Sequence, residues 1–275
     1  MRSLDHLSET DWDGLEHAYG SAGDIPDLLR DVHTGVESFG DLLGALCHQG
    51  TRYSASAAAV PYVAGLTTAD DPDVALYSLM LLGCLAIGDD DGYSFPRAAE
   101  SHGIGDRHAL DAYRAVSREI PALTQHIGHS NERVSLAATW LVSWFPDLAS
   151  QTLDLVRAGP PGATTTLARG LLGDSTVQPG GWPEAVAAIC AGDTSWSVDA
   201  VLAEARTRRD LVDPTTPYVD GDVGGILAAA LTLVPAALVP QAVSAARMLA
   251  DRARARRDTP GLTRVQSAIE RLRAR

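Results

Sequence analysis

His48-Gln49-Gly50-Thr51, followed closely by Tyr53, gathers an imidazole, an amide, a hydroxyl and a phenol into one short stretch. Such groups can orient a polar ligand or move a proton. The competing reading is structural: Gly50 ends one helix, Thr51 caps the next, and His48 and Gln49 satisfy loop carbonyls. A second group, Trp12, Glu16, His17 and Tyr19, sets aromatic rings beside a carboxylate. That combination can hold a cationic or aromatic ligand. The structural reading, which is the expectation here, is an N-terminal cap over about residues 1–23, whose Trp and Tyr cover an apolar face. Trp140 and Trp144 add two further rings. The ligand-binding candidates are therefore Trp12, His17, Tyr19, His48, Gln49, Thr51, Tyr53, Trp140 and Trp144. If the chain is an enzyme, His48, Tyr53 and Asp111 are the groups for acid–base work.

Metal chemistry is poorly supplied. His126 and His129 stand three apart beside Gly128, with His102 and His108 upstream. Zinc needs three or four ligands at close range. The pair supplies two unless a neighbouring segment folds back, so solvated histidines are the expectation. Asp89-Asp90-Asp91-Gly92 lacks calcium-loop spacing, because its glycine arrives too early. No Walker A, G-x-G-x-x-G or G-x-S-x-G motif occurs. No cofactor is expected.

The elements that must position these residues are helices. A pattern recurs at an offset of sixty residues: Ala59-Val60-Pro61 and Asp71-Pro72-Asp73-Val74 fall in register with Glu119-Ile120-Pro121 and Asn131-Glu132-Arg133-Val134. In each copy an apolar residue precedes a proline, and a capping residue then opens an apolar run. Two stacked helices joined by a short turn are written this way, and repetition marks a helical solenoid. The spacing predicts helices over 24–30, 36–47, 53–66, 73–87, 109–117, 120–127, 133–145, 148–157, 164–172, 183–190, 197–206, 225–234, 240–256 and 262–273. Residues 88–106 interrupt the pattern and read as an insertion. Removing it leaves a repeat of about 40 residues, the length of a HEAT-type helix pair. No alternation of period two is long enough to propose a sheet.

The net charge of −13 combines +6 in residues 247–275 with −19 in the remainder. Every basic side chain is arginine. So acidic a body repels a phosphate backbone, which makes nucleic acid an unexpected partner. The basic C-terminal helices, about 240–275, read as a solvated face or one lying against the acidic body. Cys47, Cys84 and Cys190 form no CxxC and sit in apolar runs, as thiols in a reducing compartment do. The N-terminus lacks a secretory pattern. Residues 226–239 are too short to span a bilayer and contain Pro235. A cytoplasmic protein with no membrane partner is expected.

Several segments resemble a family of bacterial HEAT-repeat proteins common in actinobacteria. Cys47-His48-Gln49-Gly50-Thr51-Arg52-Tyr53-Ser54-Ala55-Ser56-Ala57-Ala58-Ala59-Val60-Pro61 is similar to the family's H-Q-G-T-x-Y-x-A-S-x-x-A-V-P. His17-Ala18-Tyr19-Gly20-Ser21-Ala22, Trp144-Phe145-Pro146 and Tyr218-Val219-Asp220-Gly221-Asp222 resemble its A-Y-G-x-A, W-F-P and F-L-x-G-D stretches. The resemblance runs from about residue 12 to 249. Family members usually carry V-R after each repeat's capping residues, an arginine that bridges adjacent repeats. Here Val74-Ala75 and Val134-Ser135 lack it.

The resemblance implies an all-α, right-handed α-solenoid of HEAT-like helix pairs with one inserted loop, as a single domain over 1–275. It also implies protein binding, with a minority of enzymes. The His-Glu pairs of di-iron HEAT hydroxylases are absent. A HEAT-like DNA glycosylase would need a basic groove around Trp140, Trp144 and Asp147, inside an acidic body. The expected function is non-enzymatic: the concave face holds a protein or peptide partner of basic character. The alternative is a small-molecule enzyme catalysing cyclisation, elimination or hydrolysis. Its pocket would lie near His48 and Tyr53, with Trp12, Asp111 or Trp140, roofed by the insertion.

Overall fold

The computed structural model describes residues 1–88, 106–216 and 221–275. The calcium-like loop, His102, nearly all of the insertion and Tyr218-Val219-Asp220 lie outside the described residues. The described chain is mostly helical, as expected of an all-α protein. It divides into two compact units, 1–88 with 106–145, and 146–275.

The first unit opens with a 3-10 turn, Leu4–Glu9, and a minimal hairpin of β1 (Glu16–His17) and β2 (Gly20–Ser21). Helices α1 (Ile25–Thr34) and α2 (Phe39–Leu46) lead to a second hairpin, β3 (Cys47–His48) and β4 (Thr51–Arg52). Then come α3 (Ser54–Leu66), α4 (Pro72–Ile87), α5 (Arg107–Leu123) and α6 (Glu132–Ser143). The two hairpins are a departure from the sequence expectation. Strands of two residues are too short to leave an alternating signature.

Helix α1 buries Ile25, Leu29 and Val32, one stripe along its length. Helices α3 and α4 are buried on most sides, which their Ala, Val and Leu content permits. Helix α3 packs on α4 and α5, and α4 packs on α5 and α6. The helices that the sixty-residue offset pairs, α3 with α5 and α4 with α6, are thus in contact. Asp71 caps α4 by accepting from the Asp73 N–H, and Asn131 caps α6 by accepting from Arg133 and Val134. The equivalent residues Asp73 and Arg133 form an ion pair at 3.2 Å. This pair links the first turns of α4 and α6 through the arginine that precedes Val134.

One boundary needs correction. The separate helices expected at 109–117 and 120–127 are a single helix, α5, with Pro121 inside it. Pro61 likewise sits inside α3. A proline inside a helix forfeits one backbone bond, which surrounding packing can offset, at Pro121 near the end of α5 and at Pro61 in the middle of α3.

The second unit contains α7 (Ala149–Ala158), α8 (Ala163–Leu171), α9 (Trp182–Cys190), α10 (Ser197–Thr207), α11 (Val223–Leu231), α12 (Val239–Ala255) and α13 (Thr259–Arg273). Every residue of α11 is buried. Among the described residues no helix is long and apolar enough to cross a membrane. Helices α8 and α9 cross at Gly170, where a Cβ would lie 2.3 Å from the Ala187 Cα. Only glycine permits that approach.

Two buried carboxylates organise this unit. Asp174 accepts from Arg157 Nη2 at 2.8 Å, Arg169 Nε at 2.7 Å and Thr176 Oγ1 at 2.6 Å. The Arg157 hydrogen bond, with those from Thr176 and Arg169, holds its carboxyl far below the usual carboxylate range. Asp222 caps α11 through the Gly225 N–H at 2.9 Å and faces Arg264 at 3.5 Å. Burial pushes the Asp222 carboxyl up, against the opposing pull of Gly225 and Arg264.

The basic C-terminal helices are not simply a solvated face. Arg252 donates to the Ala205 carbonyl at 2.8 Å and to that of Arg206, at the end of α10. Arg275 donates to the Thr232 carbonyl, at the end of α11. Cations placed there meet the partial negative charge of a helix C-terminus.

Removing the Asp174 anchor leaves two arginines without their shared acceptor. Asp174→Ala is expected to destabilise the unit by about 2–3 kcal/mol, held to the lower range because both arginines are partly solvated. Urea unfolding should show it as a lower midpoint. In wild type this contribution is present above the ordinary carboxylate range and disappears only as pH falls through the depressed folded pKa.

Candidate functional site

The hairpin β3–β4 turns at Gln49 (φ 48°) and Gly50 (φ 76°). Positive φ at both central residues defines a type I′ turn, whose twist matches the flanking strands. Gly50 therefore serves a hairpin, and does not end a helix. Thr51 is exposed on β4 and caps nothing; α3 begins three residues later. Its opening is secured by Ser56, whose hydroxyl accepts the Tyr53 N–H at 2.8 Å and donates to the Leu46 carbonyl at 2.7 Å. That one hydroxyl ties the last turn of α2 to the first turn of α3 across the hairpin.

The first hairpin docks beside the second. The Ala18 N–H donates to the Ala45 carbonyl at 3.0 Å, and the Glu16 N–H donates to Ser54 Oγ at 2.8 Å. Inside it, His17 is buried and works locally. Its Nδ1 accepts the Tyr19 backbone N–H at 2.9 Å, so the proton sits on Nε2 and is donated to Asp24 Oδ1 at 2.8 Å. Asp24 stands at the N-cap of α1 but makes no side-chain capping bond there.

This docking places Tyr19 against His48. The Tyr19 hydroxyl meets His48 Nδ1 at 3.3 Å, and the rings pack edge to face with centroids 5.7 Å apart. Tyr19 lies beside Gly44 of α2, where a Cβ would come within 3.2 Å of its hydroxyl. The ring nonetheless remains 69% exposed, an unusual state for a large aromatic side chain. Two candidate groups far apart in sequence are thus one surface feature: His17 beneath, Tyr19 and His48 at the edge, Gln49 and Thr51 exposed on the neighbouring turn and strand.

Other candidates fall elsewhere. Trp12 is 5% exposed; its indole donates to the Leu7 carbonyl at 2.8 Å and packs on Tyr62. Tyr53 is half-buried at the start of α3. Asp111 pairs with Arg107 along α5. Trp140, in α6, and Trp144, just after its end, pack edge to face, with Trp144 buried and the Trp140 ring over Gly83. Asp147 belongs to the second unit. A shallow cavity of ≈ 480 Å³ runs past Glu9, Asp11, Trp12 and Asp13. Another of ≈ 590 Å³ is lined by Arg2, Asp5, Arg30 and His33 among others. Neither is lined by His48 or Tyr53.

The histidine pair is engaged structurally. Thr67 Oγ1 spends its proton on the Ala64 carbonyl, so it accepts from His126 Nε2 at 3.0 Å. His129 Nδ1 accepts the Asn131 N–H at 3.0 Å. Among the described residues no group of three His, Cys, Asp or Glu side chains can hold a metal ion. Burial, and secondarily His129, pushes the His126 pKa down.

No protein-family model, curated protein or solved structure matches the chain.

Sequence reasoning missed Gly44, Ser54 and Ser56 as organisers of this edge. The Gln-Gly dipeptide between two short runs was the available signal, since it mimics the Asn-Gly of tight hairpins.

Ser56→Ala is expected to cost about 1–3 kcal/mol, because it orphans a buried carbonyl and an N–H together. Thermal melting should register it. Because the folded pKa of His126 is depressed, its contribution is present above the ordinary histidine range and is lost as pH falls through the folded value. His126→Gln should flatten the decline in urea midpoint between about pH 7 and about pH 5; equal slopes in the two proteins would contradict this.

Proposed function

We propose that this chain is a non-enzymatic binding module that holds a protein or peptide partner of basic character through the Tyr19–His48 edge of its first unit. The observation that carries the reading is the Tyr19 ring, held by His48 and Gly44 yet largely open to solvent. A fixed, exposed aromatic ring is a low-entropy anchor for a partner. Residues 1–88 carry 13 acids against 3 arginines, so the surroundings favour a cationic partner and disfavour nucleic acid.

The same proposal takes the architecture as HEAT-like helix pairs, arranged as a right-handed solenoid and related to the bacterial HEAT-repeat proteins that the sequence resembles. Support comes from α3 on α5, α4 on α6, and the Asp73–Arg133 bridge at equivalent positions. A cytoplasmic location fits the three thiols, none of them in a disulfide.

A second reading has one observation in its favour. The phenol–imidazole contact of Tyr19 and His48 is a pair that acid–base chemistry on a small molecule can use.

Peptides of graded basic charge separate the two. Under the binding reading, Tyr19→Ala weakens the most basic peptides about tenfold without lowering the melting temperature, and the affinity falls with salt. Equal binding by wild type and Tyr19→Ala would reject it. Small-molecule turnover abolished by His48→Ala would establish the second reading instead.

A further inference from the structure

Cys47 and Cys84 come together where β3 meets the last turn of α4. The Cys47 thiol donates to the Cys84 carbonyl, with Sγ at 3.5 Å from that oxygen. From standard backbone dimensions, the Cys47 sulfur is then within about 6 Å of the Cys84 Cα. The same carbonyl accepts the Gly88 N–H at 2.8 Å, which closes α4. A disulfide between them requires the Cys84 side chain to turn toward the Cys47 sulfur and the two backbones to meet the usual Cβ spacing of about 4 Å.

A shared cation lies beside them. Arg52, on β4, donates to the Gly50 carbonyl, and its Nη1 occupies the space that a Cβ on Gly88 would need. Gly88 has φ +79°, so two features of that position call for glycine. The Arg52 Nε is buried without a hydrogen-bond acceptor. Burial weakens the hold of this guanidinium on its proton, while Cys47, Asp106 and Cys84 act in the opposite direction. A desolvated cation of this kind favours a thiolate next to it.

We propose that Cys47 and Cys84 form a reversible disulfide when the protein meets a peroxide, with Arg52 as the positioning residue that favours the thiolate. Cys84 is half-buried and Cys47 is buried, so Cys84 reacts first. Its thiol releases a proton to water, and the thiolate attacks one peroxide oxygen. The O–O bond breaks, hydroxide leaves, and the sulfur is oxidised by two electrons to a sulfenic acid. Cys47, as thiolate, then attacks that sulfur. The S–S bond forms, the S–O bond breaks, and a second hydroxide leaves. Both hydroxides take up the released protons, so two thiols and one hydrogen peroxide give one disulfide and two waters. A dithiol reductant reverses the bond by exchange. The bond would tie β3 directly to α4.

The test treats the native full-length protein with stoichiometric hydrogen peroxide, alkylates the remaining thiols, and maps peptides before and after reduction. The expected result is an intramolecular Cys47–Cys84 link with Cys190 alkylated, undone by dithiothreitol. Cys190→Ser should leave the yield unchanged, and Cys47→Ser should stop at a sulfenic acid on Cys84. Arg52→Gln should slow the reaction about tenfold and Arg52→Lys should restore much of it, provided each melts as wild type. Wild-type mapping decides the matter even if these variants fail to fold. Both thiols still reduced, a link through Cys190, or only intermolecular dimers would overturn the proposal.

Discussion

Helix α3 is surrounded by its own unit on almost every side, and a helix so placed must satisfy its ends without water. Its solution is internal. Ser56 takes the Tyr53 N–H and gives its own proton to Leu46, while Thr67 closes the far end on Ala64. Midway, the Pro61 carbonyl accepts the Arg2 N–H at 2.8 Å, which brings the N-terminal segment down onto the helix. Small residues, Ala55, Ala59 and Ala64 among them, let neighbouring helices approach from different directions. The Tyr19–His48 edge inherits its geometry from this core, because both hairpins are fastened to the first turn of α3 or the last turn of α2.

The second unit meets the same problem with charge. Asp174 gathers α7, α8 and the loop after α8 on one carboxylate, and Arg252 closes α10 from α12. Arginine suits both tasks, since its planar fork can serve two acceptors at once. The C-terminal run of basic residues, which in composition looks like a polar coat, is in part the means by which helices α10 to α13 hold together.

The helices were largely legible in the sequence, and for physical reasons. Asp71 and Asn131 announce themselves as caps, the apolar runs after them have helical length, and the sixty-residue offset pairs them. The breaks were harder to read. Pro121 lies inside α5 because its lost backbone bond falls near the helix end, a fact about position that residue type does not reveal. The hairpins escaped because two-residue strands carry no periodicity. The candidate site was half legible. Tyr19 and His48 stood out separately by type, but their meeting depends on Gly44, Ser54 and Ser56, whose roles are purely spatial. Trp12 shows the converse: a residue rich in chemical promise whose indole is occupied in closing the N-terminal turn.

The Asp73–Arg133 bridge is exposed, and pairs of that kind add little to stability. Its sign matters more than its size. Because the two residues occupy equivalent places in successive copies, α4 against α6 is attractive, whereas α4 against another molecule's α4 would set aspartate on aspartate. A chain built from similar helix pairs is at risk of exchanging them between molecules during folding. Opposite charges at one equivalent position therefore favour the α4–α6 contact slightly over an α4–α4 contact.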